Sequence, residues 1–236
     1  MFDWLKKQLG KGGAHERKAP PFWQAYLDSF RGRPFDKKQP VEAVSFVVFD
    51  TETTGLDLRT DQILSIAALR VQAWQIDLSD RLEYFVHQAY RPEQKAVAIH
   101  GILPGEREHS LSEAEAIARF LAFCGSSVLV GHHAAFDVAM VNEALKGMGA
   151  GKLRNKQLDT GVLARRLARS SHSGPQPPLG LDELCQQYGI PMSDRHTAAG
   201  DTYITAILLI KLLYRLEMRG VRTLGGLLAA RGTGLV

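Results

Sequence analysis

The chain has 236 residues, 45% of them apolar, which suits one domain with a full core; no apolar run nears the ~18 residues of a membrane span, so no membrane partner is expected. The net charge of +4 is uneven: residues 1–40 hold nine Lys/Arg against four Asp/Glu, whereas the remainder holds 20 against 21. Cys124 and Cys185 lack metal-ligand spacing, which excludes a disulfide scaffold or thiolate metal site and points to reduced thiols in a cytoplasmic protein.

In chain order, "WLKKQLG" suits a short amphipathic helix, and no apolar stretch marks a signal peptide. "FWQAYLDSFRGRPF" suits a second helix, with Phe22, Ala25, Tyr26 and Phe30 on one side. Residues 1–40 therefore read as a basic, helical extension, and such a segment can attract nucleic acid, a polymerase or another protein partner. From Val44 the pattern becomes α/β. "VSFVVFD", "QILSIAALRVQAW" and "RLEYFVHQ" read as three consecutive strands with antiparallel neighbours. "SLSEAEAIARFLAFCG" reads as a helix with a Ser110–Glu113 capping box. "SVLVGH" is a short buried strand and "AAFDVAMVNEALKGMG" a helix. "KQLDTGVLARRLAR" passes from strand to helix, and "SSHSGPQPPLG" is a loop. "LDELCQQYGI" and "AGDTYITAILLIKLLYRLEMRG" close the domain as helices. The fold expected is α/β: a ribonuclease H-like mixed sheet flanked by helices over residues 41–216, with the helical extension before it. Residues 217–236, rich in glycine, are expected to form a short flexible tail.

The first strand ends in "DTETTGL". Asp50 and Glu52 stand two apart, so an extended backbone points both carboxylates to one face. An isolated Asp-x-Glu is usually solvated surface charge. A convergent pair repels itself unless a cation lies between, and hard Mg²⁺ or Mn²⁺ prefers oxygen ligands. Thr53, Thr54 and Gly55 make a polar turn suited to a phosphate or terminal sugar. Asp137, in the first turn of its helix, is either a charge complementing the helix dipole or a third ligand. Phe136 is a core residue or a surface for a terminal base. His196, in a polar loop five residues before Asp201, is well placed to take a proton from water.

Asp50-x-Glu52, Asp137 in "HHAAFD", and His196 with Asp201 in "RHTAAGD" occur in an order that resembles the DnaQ-like (DEDD) exonuclease superfamily over roughly residues 44–215. The pattern is similar to the proofreading ε subunit of bacterial DNA polymerase III. Histidine five residues before the last aspartate resembles the histidine (DEDDh) branch. The resemblance implies two divalent ions, Mg²⁺ or Mn²⁺. Asp50 would bridge them, Glu52 and Asp201 would complete one site, Asp137 would serve the other, and His196 would be general base. His100 in "AIHGI" is implied as a substrate contact and Asp159 as a supporting residue. Where relatives often carry Asn, this chain has His133, which bears on substrate preference. The expected activity is removal of nucleotides from a 3′ end, on single-stranded DNA more than RNA, in proofreading or repair. The alternatives are an exoribonuclease of the same superfamily and a silent nucleic-acid-binding module. The His196 loop is expected to order with metal and substrate.

Overall fold

A computed structural model describes residues 19–88, 110–168 and 179–229. Three strands come first: β1 (Phe46–Thr53), β2 (Ile63–Gln72) and β3 (Gln75–Phe85). After α1 (Pro21–Asp28) ahead of them, α2 (Glu113–Cys124), β4 (Val128–Gly131), α3 (Ala135–Gly147) and β5 (Gln157–Asp159) follow. The chain then runs through α4 (Thr160–Ala168), α5 (Leu181–Tyr188), α6 (Ala198–Glu217) and α7 (Leu224–Leu228). The sheet order is β3-β2-β1-β4-β5, antiparallel on the β2 side of β1 and parallel on the β4 side. This is the mixed, helix-flanked, ribonuclease H-like arrangement expected.

Alternation along β1 builds a core on each face of the sheet. Phe46 and Val48 join a cluster with Leu184, Leu208, Leu209 and Leu212 from α5 and α6. Val47 and Phe49 join another with Phe120, Val141 and Leu145 from α2 and α3. β4 runs beside β1 only from Phe46 to Val48, and β2 continues to Thr53. The end of β1 thus projects past its parallel neighbour, which frees one edge for side chains of other elements.

Several expectations need correction. The capping box is Ser112 with Glu115, one step along a tandem Ser-x-x-Glu repeat, because Leu111 is held beside Val86 in a β-bridge and delays the helix. The third strand starts at Gln75 rather than near Arg81. A two-residue turn at Ala73 and Trp74 precedes it, both with positive φ, a hairpin made without the usual Asn or Gly. Trp23, not Ala25, is buried with Tyr26 on α1, and both belong to the second core. The supposed tail is ordered over its described part. Leu224 N donates to Gln39 O at 2.9 Å, Val41 N donates to Arg222 O at 3.1 Å, and Leu224 and Leu227 enter the first core. Its glycines suggest flexibility, but two leucines with an apolar surface to bury outweigh them. "WLKKQLG" and His100 lie outside the described residues. Among the described residues no helix is long and apolar enough to cross a membrane, and both cysteines are free and buried.

Candidate active site

The exposed end of β1 collects the carboxylates. Asp50 and Glu52 lie on the face covered by α6, where Asp201 occupies the first turn. Oxygens of Asp50, Glu52 and Asp201 all fall within 4.8 Å of one another. α6 is held there by Thr202, whose hydroxyl donates to Ala67 O at 3.3 Å; Ala67 pairs with Asp50 across the sheet. Thr197 caps the helix, accepting from Gly200 N at 3.0 Å and donating to Asp194 O at 2.8 Å. Gly200 is obligatory in this packing, because a Cβ there would stand 2.0 Å from Asp194 O.

Asp137 approaches from the opposite face and lies outside that triad. It is buried, and Oδ1 accepts from Thr51 N at 3.0 Å and Thr51 Oγ1 at 2.6 Å. Asp137 therefore secures the projecting β1 edge while its charge acts on Asp50. Burial, with repulsion from Asp137, Asp201 and Glu52, pushes the Asp50 carboxyl well above the usual range. Burial and the charges of Asp201 and Asp137 push Glu52 to about 7. Burial raises Asp137 to about 7 against the opposing Thr51 hydrogen bonds.

Arg195 supplies the local countercharge. Its Nη1 donates to Asp201 Oδ2, and its Nε donates to Asp182 Oδ1 at 2.5 Å. Asp201 Oδ1 remains buried with no hydrogen-bond partner among the described residues. Three converging carboxylates, with the proton affinity of Asp50 and Glu52 raised and one Asp201 oxygen left undonated, fit hard divalent cations. His196, next to Arg195, is exposed and has a φ of +63°. The loop thus brings the arginine, not the histidine, onto the carboxylates.

The remaining candidates brace the surroundings. Thr53 Oγ1 donates to Gly55 O at 2.7 Å, and Thr54 Oγ1 to Asp61 Oδ1 at 2.7 Å. A Cβ on Gly55 would stand 2.5 Å from the Asp61 carboxylate, so a larger residue there would have to push Asp61 off its hydrogen bonds to Thr54 and Asp57. Phe136 is half-buried against the second core. His133 is exposed with a φ of +60°, a backbone that both Asn and His tolerate, which accounts for His where Asn is frequent. Asp159 accepts from Ala134 N and Val162 N, each at 3.0 Å, and ties the starts of α3 and α4 together. Sequence reasoning missed Thr51, Asp61, Asp182, Arg195 and Gly200. The signals were the residue between the two carboxylates, an aspartate seven positions after Thr54, and the flanks of His196 and Asp201.

Residues 47–209 match the RNase T exonuclease family model. The chain belongs to the exonuclease family. This exonuclease domain is 35% identical over 195 residues to the DNA polymerase III subunit epsilon-like protein of Rhodobacter capsulatus, covering 80% of the chain and 26% of that relative. It is 30% identical over 181 residues to the PolC-type DNA polymerase III of Staphylococcus saprophyticus, covering 77% of the chain and 12% of that relative. The chain thus spans only a minor part of the length of these relatives. Among solved structures, E. coli Exonuclease I in complex with a dT13 oligonucleotide shares the fold, with a TM-score of 0.63 and 22% identity over 75% of this chain and 42% of that one.

Proposed function

We propose that this exonuclease-family chain is a 3′→5′ exonuclease of the histidine type, acting on single-stranded DNA in proofreading or repair with two bound divalent ions, Mg²⁺ or Mn²⁺. The observation that carries the reading is the convergence of Asp50, Glu52 and Asp201 within 4.8 Å, with Asp137 behind them on Thr51. The relatives named as DNA polymerase III components, and the fold shared with an Exonuclease I solved with dT13, support DNA as substrate. Asp50, Glu52 and Asp201 would hold the ions, with Asp137 serving the second site, and the bound ions would supply an activated water and charge neutralisation at phosphorus. His196, which this loop conformation holds outward, takes the proton from the attacking water once metal and substrate order the loop and turn it inward. Water oxygen bonds to phosphorus, the bond to the 3′ oxygen of the preceding nucleotide breaks, that oxygen takes a proton from solvent to become a 3′ hydroxyl, and a nucleoside monophosphate leaves. The terminal nucleotide lies against the Thr53–Gly55 turn, with Phe136, His133 and His100 as further contacts. A protein partner, a polymerase included, docks through the N-terminal extension.

The test is digestion of a 5′-labelled single-stranded DNA oligonucleotide and its RNA twin with Mg²⁺, Mn²⁺ or EDTA. A ladder shortening from the 3′ end of DNA, stopped by EDTA, is expected. Asp50→Ala and Asp201→Ala should abolish it in folded protein, and His196→Ala should slow it about 10²–10⁴-fold. Cleavage by Asp50→Ala at the wild-type rate would sink the site assignment. Faster RNA cleavage would make the protein an exoribonuclease, and no cleavage of either would favour a binding module.

A further inference from the structure

At the end of the sheet opposite the carboxylates lies a cavity of about 620 Å³, walled by Phe30 and Arg33–Asp36 of the extension, the Phe123–Val128 turn, Arg70, and Arg154 with Lys156. The separation follows from β1: Ser45 lines the cavity and Asp50 lies five residues on, about 16 Å at ~3.3 Å per residue. The lining is basic. Arg33, Arg70, Arg154 and Lys156 face one acidic residue, Asp36. Arg70 is committed to the fold, paired with Asp80 and donating to Ser45 Oγ, Ser127 Oγ and Phe123 O. Arg33, Arg154 and Lys156 are exposed, and among the described residues none is ion-paired with a carboxylate.

We infer that this rear cavity is a docking site for an acidic peptide segment of a protein partner. Three exposed cationic side chains without a carboxylate partner among the described residues, lining a concave site with phenylalanine walls, match a short run of carboxylates carrying an apolar side chain. A nucleic-acid strand matches less well. Base stacking needs open ring faces, but Arg70 lies 4.8 Å over the Phe123 ring and Lys156 lies 5.0 Å over Phe35. Position agrees as well: an occupant at this edge leaves the carboxylate edge open, so the enzyme can be tethered while it works. Residues from the basic extension form one wall, which gives that segment a role in recognition that charge alone left open.

Fluorescence anisotropy tests this with the full chain and a fluorescein-labelled ten-residue peptide carrying four aspartates and one phenylalanine. The peptide should bind, and a version with asparagine for aspartate should not. Arg154→Glu combined with Lys156→Glu should weaken binding about tenfold or more, since each lost pair contributes up to ~1 kcal/mol and reversal adds repulsion. Arg33→Glu alone, at an exposed position, should weaken it as well. All these variants should digest single-stranded DNA at the wild-type rate, and Asp50→Asn should bind the peptide normally, so failure here is separable from failure of the exonuclease reading. Absence of binding, equal binding of the asparagine peptide, undiminished binding by the reversed variants, or displacement of the peptide by an unlabelled dT oligonucleotide would each overturn the inference.

Discussion

Asp50 is half-buried and lies among Asp137, Asp201 and Glu52 with Arg195 as nearby countercharge, so the metal-free fold carries an electrostatic cost at its own site. Asp50→Asn removes one repelling charge and should raise Tm in EDTA by about 2–4 °C for each kcal/mol relieved. The same substitution should abolish DNA cleavage. An unchanged or lowered Tm in EDTA would show that the repulsion is already offset. The pH dependence has a definite sign. Glu52 is raised from 4.5 to about 7, so its contribution to stability is fully present below about pH 4.5 and is lost as pH climbs through 7. In EDTA, the Tm of the wild type relative to Glu52→Gln should fall between pH 5 and 8, and Mn²⁺ at pH 8 should restore it. A relative Tm that rose over that interval would contradict the raised carboxyl. At this scale Asp50, Glu52 and Asp201 are legible because strand period and helix start dictate their direction. Thr51 and Arg195 are not legible, because their roles depend on which distant element packs beside them: Asp137 reaches Thr51 across 86 positions of sequence.

Helix α1 shows how an element that reads as an appendage becomes part of the fold. Tyr26 donates to Asn155 Oδ1 at 2.5 Å and accepts from Arg154 N at 2.7 Å. Asn155 passes the connection on, donating to Gly125 O at 2.9 Å and Ser127 O at 2.7 Å. One phenol therefore joins the extension to the turns that precede β4 and β5. Tyr26→Phe keeps the ring but strips both bonds, leaving a buried Asn oxygen and a backbone amide unpaired, and should destabilise the protein by about 1–3 kcal/mol in chemical denaturation. A loss below a few tenths of a kcal/mol would mean water substitutes for the hydroxyl. Burial also raises the Tyr26 phenol to about 12, so the stability it gives holds below about pH 10 and disappears as pH rises through 12. The helical period of "FWQAYLDSF" was legible, and Phe22, Tyr26 and Phe30 do face the second core; the burial of Trp23 in place of Ala25 was not legible. Trp23 is drawn in by Gly151, where a Cβ would stand 2.8 Å from the indole, and that partner is far away in sequence. The hairpin at Ala73 and Trp74 escaped notice for a similar reason: Trp74 packs on the first core, and that contact stabilises a turn its own residues do not favour.

Across the whole molecule, the sheet separates two cores and two working edges. Asp201 rides on α6, anchored by Leu208, Leu209 and Leu212 in one core. Asp137 rides on α3, anchored by Val141 and Leu145 in the other, and β1 carries Asp50 and Glu52 between them. The carboxylate edge therefore depends on both layers, whereas α1 serves only the second core and lies by the rear edge, where Tyr26 meets Asn155. A protein starting at residue 31 tests this division. It loses the burial of Trp23 and Tyr26, about 1.5–3 kcal/mol each, and leaves Asn155 short of one partner. Its Tm should fall by more than about 6 °C, since each kcal/mol is worth about 2–4 °C in a domain of this size. Well below that Tm, cleavage of single-stranded DNA should proceed at nearly the full-length rate, because no residue of α1 reaches the carboxylates. Equal melting of the two proteins would show that α1 adds nothing to the second core. Lost cleavage in a truncated protein that still melts cooperatively would show that the two edges are coupled through the sheet, with α1 setting the position of α3 and so of Asp137 against Thr51.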